Sequence, residues 1–114
     1  MSVLGEIALF TDDVDGVASF YRRLLGAEPE ARWPGGAQFT VGDGTLLVHE
    51  RAGEQAGGPP NEDHFAFRVD DLAGMCSEAI AAGLTLLVEP RDYSWGRSAY
   101  LRDPDGRLVE LAQG

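Results

Sequence analysis

The chain has 114 residues, 44 % of them apolar, and carries 19 acidic against 9 basic side chains for a net charge of -10. That length supports one core rather than two, that apolar share excludes disorder, and no apolar run reaches the roughly 18 residues of a membrane span. An acidic field of this size repels nucleic acid, anionic membranes and strongly anionic ligands, so none of these is expected as a partner.

The opening stretch MSVLGEIALF has no basic start and runs directly into a strand pattern over 3–10, unlike a signal peptide. A single cysteine, Cys76, has no internal disulfide partner. Both features point to a cytoplasmic protein. Asp12-Asp13 then supplies an N-cap for a helix over 14–25 that Gly26 stops, with Val14, Val17, Ala18 and Tyr21 on one face. Three strands follow at about 28–33, 37–41 and 45–50, broken by Pro34-Gly35-Gly36 and Gly42-Asp43-Gly44. Residues 52–62, AGEQAGGPPNE, read as a linker.

Beyond the linker the same grammar restarts. His64 opens a strand over 64–69, Asp70-Asp71 caps a helix over 72–82, and Gly83 stops it. On that helix Cys76 shares a face with Leu72, Met75 and Ala79 and reads as core filler. A strand over 84–89, a loop over 90–97 and a hairpin over 98–111 complete the chain. The hairpin reverses at Asp103-Pro104-Asp105-Gly106, where proline presets φ and glycine permits the turn.

The repeat is measurable, since Glu6 and His64, like Asp13 and Asp71, stand 58 positions apart, and Gly44 and Gly106 stand 62 apart. Two copies of one βαβββ unit are therefore expected, an α+β fold with module one at about 1–51 and module two at 63–114. Superposing the copies sets Glu6 beside His64 in the first strands and Val48 beside Glu110 in the last. Asp and Glu are rarely buried without a charged partner or a metal, so Glu110 between Val109 and Leu111 asks for one. Two carboxylates and an imidazole at three of four equivalent places suit a divalent cation such as Mn, Fe, Ni or Zn, with positions left for a substrate. Alternation turns His49 away from the face of Val48, whereas Glu50 shares it. Trp33, Phe39, Tyr93, Trp95 and Tyr100 offer flat walls for a cavity. Trp95, set in a polar loop between Ser94 and Gly96, is the aromatic least explained by core packing.

Phe20-Tyr21 with Leu25-Gly26, His64-Phe65-Ala66-Phe67, Trp95-Gly96-Arg97, Asp103-Pro104-Asp105-Gly106 and Glu110 together make the chain resemble the vicinal oxygen chelate superfamily. That superfamily includes glyoxalase I, fosfomycin thiol transferases, bleomycin-resistance proteins and extradiol dioxygenases. The resemblance implies a half-open mixed and antiparallel sheet cavity and a homodimer. It also implies a metal held by Glu6, His64 and Glu110, Glu6 coming from one subunit and the other two from its partner. The fourth ligand place of some members is Val48 here. Ser94, Ser98 and Tyr100 before the Asp-Pro-Asp-Gly turn resemble the fosfomycin thiol transferases, but Glu6, Ala8 and Pro90 stand where that group has His, Thr and Lys, which points away from fosfomycin itself.

The expected function is metal-dependent chemistry on a small oxygenated molecule, of lyase, isomerase or thiol-transferase type, with Glu110 as the catalytic residue. Trp33, Phe39, Val48, Tyr93, Ser94, Trp95, Ser98 and Tyr100 are the expected ligand contacts. The alternative is antibiotic resistance by sequestration, in which an aromatic-lined dimer cleft encloses a drug without metal or catalysis.

Overall fold

The computed structural model describes residues 2–51 and 60–114. Its elements are β1 (Ser2–Thr11), α1 (Val14–Leu25), β2 (Ala31–Trp33), β3 (Gly36–Val41), β4 (Gly44–Glu50), β5 (His64–Val69), α2 (Leu72–Ala81), β6 (Leu86–Tyr93), β7 (Gly96–Arg102) and β8 (Leu108–Gln113). They divide into two compact units, Glu6–Asp63 and His64–Gly114, the latter joined by Met1–Gly5. The first residues of β1 thus belong with the second module, where Ser2 Oγ lies 3.7 Å from Met75 Sδ. Gly5 belongs there too, and a Cβ on it would meet the Arg68 guanidinium at 2.9 Å.

Both units use the same pairing. In the first, β1 runs parallel to β4, and β4, β3 and β2 are successively antiparallel. In the second, β5 runs parallel to β8, and β8, β7 and β6 are successively antiparallel. Each is a βαβββ unit, as the repeat predicts, and the fold class is α+β.

The helices start where the paired aspartates say. Asp13 accepts from Gly16 N at 3.0 Å and Asp71 from Gly74 N at 3.0 Å, each relieving one orphan donor of the first turn. Gly26 closes α1 in the left-handed region at φ 66°. Under α1 lies a core of Ala18, Ala37, Phe39 and Val48, joined by Val14, Val17, Tyr21 and Leu46. Under α2 lies one of Val69, Leu72, Cys76, Ala99 and Leu111. Cys76 is packing material, and burial pushes its thiol up from its ordinary range.

Two boundaries differ from expectation, and a third expected segment lies mostly outside the described residues. The strand expected at 28–33 shortens to β2, with Glu30 N donating to Gln38 O at 2.8 Å just before it. The linker at 52–62 falls outside the described residues except for 60–62, which carry no helix or strand. The loop expected at 90–97 is strand as far as Tyr93, because β6 ends its unit's strand order and such a strand tolerates the missing N–H of Pro90. The ladder to β7 shifts register between Val88 and Arg91, which is where the proline is absorbed.

The β7–β8 turn is pinned by Asp103, whose carboxylate accepts from Asp105 N and Arg107 N, both at 2.9 Å. The Arg107 N–H is the main cause that holds the Asp103 carboxyl below its ordinary range, against desolvation and with the Arg107 guanidinium and the Asp105 N–H assisting. A carboxyl depressed in the folded state adds stability above its unfolded pKa of about 3.9 and loses it as pH falls through the folded value. Asp103→Ala is therefore expected to lower the melting temperature at pH 7, with the gap to the parent closing in strong acid. Thermal unfolding at several pH values checks this.

Candidate functional site

In the unit His64–Gly114, α2 covers one face of the sheet. Phe67 and Val69 from β5, Ala99 and Leu101 from β7, and Leu111 from β8 face it. Strand alternation sends the intervening residues to the opposite face. There Ala66 pairs with Glu110, Glu110 with Tyr100, and Ser98 with Arg91, so β5, β8, β7 and β6 each contribute to one surface.

Glu110 is its centre, 5 % exposed beside His64 at 9 %, Ser98 at 0 % and Tyr100 at 1 %. His64 Nε2 lies 3.0 Å from Glu110 Oε1, and Ser98 Oγ donates to Glu110 Oε2 at 2.7 Å. Burial alone would push the Glu110 carboxyl up. The hydrogen bonds from His64 and Ser98, the charge on His64 and a contact from Trp95 outweigh it and hold the carboxyl below its ordinary range. Glu110 is thus kept as a carboxylate in a dry place, with one oxygen toward an imidazole and the other fixed by a hydroxyl.

A chain of aromatic rings leads away from this pair. Tyr100 meets His64 edge to face at 5.8 Å, Tyr93 meets Tyr100 likewise at 6.2 Å, and Trp95 stacks on Tyr93 at 4.6 Å and 4°. Trp95 Nε1 makes a long hydrogen bond of 3.4 Å to Ser98 Oγ, while Ser94 is exposed in the turn. Four of the expected contacts, Tyr93, Trp95, Ser98 and Tyr100, are therefore linked through one another to the His64–Glu110 pair.

The unit Glu6–Asp63 places its candidates differently. Thr45 Oγ1 donates to Glu6 Oε2 at 3.1 Å, across the β1–β4 pair that sets Glu6 beside Thr45. The ladder continues Ala8 to Leu47 and Phe10 to His49, whose rings lie 5.4 Å apart. Leu46 and Val48 pack toward α1, so Thr45, Leu47 and His49 share the other face with Glu6. The place matching Glu110 is thus Leu47, since Ala8 pairs with Leu47 as Ala66 pairs with Glu110. A one-residue difference in ladder register between the copies removes Val48 from that role. Phe39 and Val48, 1 % and 0 % exposed, fill the helix-side core rather than a ligand face. Trp33 lies over Gly36, where any Cβ would strike its indole, and lines a cleft of about 620 Å³ with Asp12, Asp13, Asp15, Arg32 and Glu50.

Sequence reasoning missed Arg91, which the register shift in β6 brings opposite Ser98; nothing in the pattern of residues marks that shift beyond Pro90. It also missed Leu47.

The residues present fit a divalent cation in kind and spacing. Two donors at about 2.1 Å from one ion and at right angles to it stand about 3 Å apart, as the imidazole nitrogen and carboxylate oxygen do. Ser98 is the outer hydrogen bond that orients such a ligand. Among the described residues, no three His, Cys, Asp or Glu side chains of one chain are grouped to hold an ion. Ser98→Ala deprives the buried carboxylate of one donor and is expected to cost about 1–3 kcal/mol at pH 7, measurable by urea unfolding.

Known proteins give the same outline. The sequence profile of the Glyoxalase/Bleomycin resistance protein/Dioxygenase superfamily matches residues 3–111. The glutathione transferase FosA of Serratia marcescens is 33 % identical over 97 % of this chain and 80 % of its own. In fold, the chain resembles a glyoxalase/bleomycin resistance protein/dioxygenase superfamily member from Vibrio splendidus (TM-score 0.75, 16 % identity, all of both chains). It also resembles a methylmalonyl-CoA epimerase of Streptomyces coelicolor (TM-score 0.73, 24 % identity, 97 % of this chain and 93 % of that one). The paired βαβββ units and the match over nearly the whole length make one conclusion plain: this chain belongs to the glyoxalase/bleomycin resistance protein/dioxygenase superfamily.

Proposed function

We propose that the protein is a metal-dependent enzyme of this superfamily that acts on a small oxygenated molecule, by lyase, isomerase or transferase chemistry. The observation that carries the reading is the buried His64–Glu110 pair, a nitrogen and an oxygen donor 3.0 Å apart with the carboxylate kept ionised. His64 and Glu110 would hold the ion, and Glu6 would complete the set from the partner subunit of a homodimer. A divalent ion there supplies Lewis acidity, polarising adjacent oxygens of a ligand and stabilising negative charge as it develops.

The chain's own residues do the rest. Ser98 fixes the rotation of the Glu110 carboxylate, so its other oxygen stays on the His64 side. Tyr100, edge on to the imidazole, restricts the ring of His64. Trp95 and Tyr93 wall the site, and an apolar wall keeps water from competing with the ligand and strengthens every charge interaction inside. Glutathione-dependent transfer is one member of this class, supported by the likeness to the glutathione transferase FosA.

A second reading rests on Trp95, which is 55 % exposed although it is stacked on Tyr93. A flat drug could add to that stack without any metal, as in sequestration.

Metal content decides between them. Protein purified without chelators, or stripped and refilled with Mn, Fe(II), Ni or Zn, is expected to bind about one ion per chain. Glu110→Gln, which keeps the shape and removes the charge, should weaken uptake at least about tenfold. Elemental mass spectrometry with equilibrium titration reads both. A parent that takes up none of the four ions sinks the metal-dependent reading.

A further inference from the structure

The first module holds a carboxylate by the same means as the second, but from a different place. Thr45 Oγ1 donates to Glu6 Oε2 at 3.1 Å, as Ser98 Oγ donates to Glu110 Oε2 at 2.7 Å. The repeat does not account for this. Ala8 pairs with Leu47 as Ala66 pairs with Glu110, so two residues back the places of Glu6 and Thr45 are taken in the second module by His64 and buried Leu108. In the other direction, Gln38 pairs with Leu47 as Tyr100 pairs with Glu110, so the places of Glu110 and Ser98 are taken in the first module by Leu47 and Gly36. Each hydroxyl therefore accompanies a carboxylate and not a position in the fold.

The chemistry of the two groups gives a reason. The last torsion of a glutamate is broad and roughly two-fold, so neither oxygen is aimed until the other is bonded. An imidazole is a rigid ring with no such freedom, and where His64 replaces Glu6 the hydroxyl is replaced by leucine. Thr45 is well placed to supply the bond. It lies directly across the β1–β4 ladder from Glu6, and its branched side chain is stiff at χ1, so the donor is itself fixed. Glu6 and Thr45 are both half-buried on the face turned away from α1, which leaves the held carboxylate within reach of that open face.

We infer that Thr45 is a positioning residue for Glu6 in metal binding: by bonding Oε2 it sets the direction of Oε1, so that the carboxylate is aimed before it meets an ion. The inference rests on the metal-dependent reading above, in which Glu6 completes the set with His64 and Glu110. Thr45 then does for Glu6 what Ser98 does for Glu110, and the loss of either hydroxyl weakens the hold on the ion without removing a donor from it.

Titration of the metal-stripped protein with Mn²⁺, read by the electron paramagnetic resonance of the free ion, tests this. Thr45→Val keeps the branched shape and deletes the hydroxyl, and should weaken Mn²⁺ about tenfold, as loss of an outer hydrogen bond to a ligand does. Thr45→Ser keeps the hydroxyl and should bind Mn²⁺ like the parent. In a Glu6→Gln background Thr45→Val should cost nothing further, because a residue that acts through the carboxylate has nothing left to aim. Should the valine variant fail to fold, Thr45→Ala takes its place with the same expectations. Unchanged Mn²⁺ affinity in Thr45→Val, a loss that Thr45→Ser shares, or the full loss repeated on top of Glu6→Gln overturns the inference. A Thr45→Val protein whose metal-free melting temperature falls while its Mn²⁺ affinity holds has lost only packing, and overturns it too. A parent that binds no Mn²⁺, or a Glu6→Gln protein that binds it like the parent, overturns the reading of Glu6 as a metal ligand and the inference with it. A weakened Glu6→Gln beside an unchanged Thr45→Val confines the failure to Thr45.

Discussion

A carboxylate taken out of water is the constraint around which the second module is arranged. Glu110 lies on a strand between half-buried Val109 and buried Leu111, and alternation forces it to the face opposite α2. Leaving a bare carboxylate there would cost far more than any single packing contact returns. His64 arrives from the parallel neighbour β5 and Ser98 from the antiparallel neighbour β7, so each oxygen receives a donor from a different strand. The pairing of three strands and the ionisation of one side chain are thus the same fact. A site that holds its charge before anything binds is preorganised for charge-dependent chemistry, which is what the proposed function requires.

The two modules solve the same packing problem with different residues on their open faces. Under each helix the content is alike: small residues against the strand backbone, Ala18 with Ala37 in one copy and Cys76 with Ala99 in the other. Away from the helices they diverge. One copy carries the His64, Ser98 and Glu110 network, and the other carries Glu6 held by Thr45, with Leu47 where the second carboxylate would be. Packing demands constrain the helix side in both copies, while the open side is left to vary with chemistry. That division is why one architecture supports the several activities named among its relatives.

Aromatic residues reach the His64–Glu110 pair by way of the turn that joins β6 to β7. Pro90 and the register shift would be faults in a central strand, yet at the edge they bring Tyr93 and Trp95 against Ser98 and Tyr100. Local irregularity here serves to aim side chains, and the glycine at 96 makes the tight reversal possible.

Much of this was legible in the residues alone. The paired aspartates at 58-residue spacing mark both helix starts, because an N-cap is a local interaction read within four residues. The repeat follows from the same spacing, and with it the α+β class. That His64 and Glu110 stand together was legible as an expectation, since a carboxylate in an apolar run needs a partner, but the expected link was a shared ion rather than the direct contact the structure has. What tertiary structure alone decided depends on register between distant strands. Val48 and Leu47 are neighbours in sequence, and only the pairing of β1 with β4 says which of them turns from the helix. Phe39 reads equally well as wall or core until α1 is packed over it. The place of Arg91, and the stack of Tyr93 on Trp95, depend on a shift in a ladder whose partner strand is a separate segment. Short-range physics is written in short stretches of sequence, whereas the face a strand residue presents is set by its neighbours, and one residue of slip reverses it.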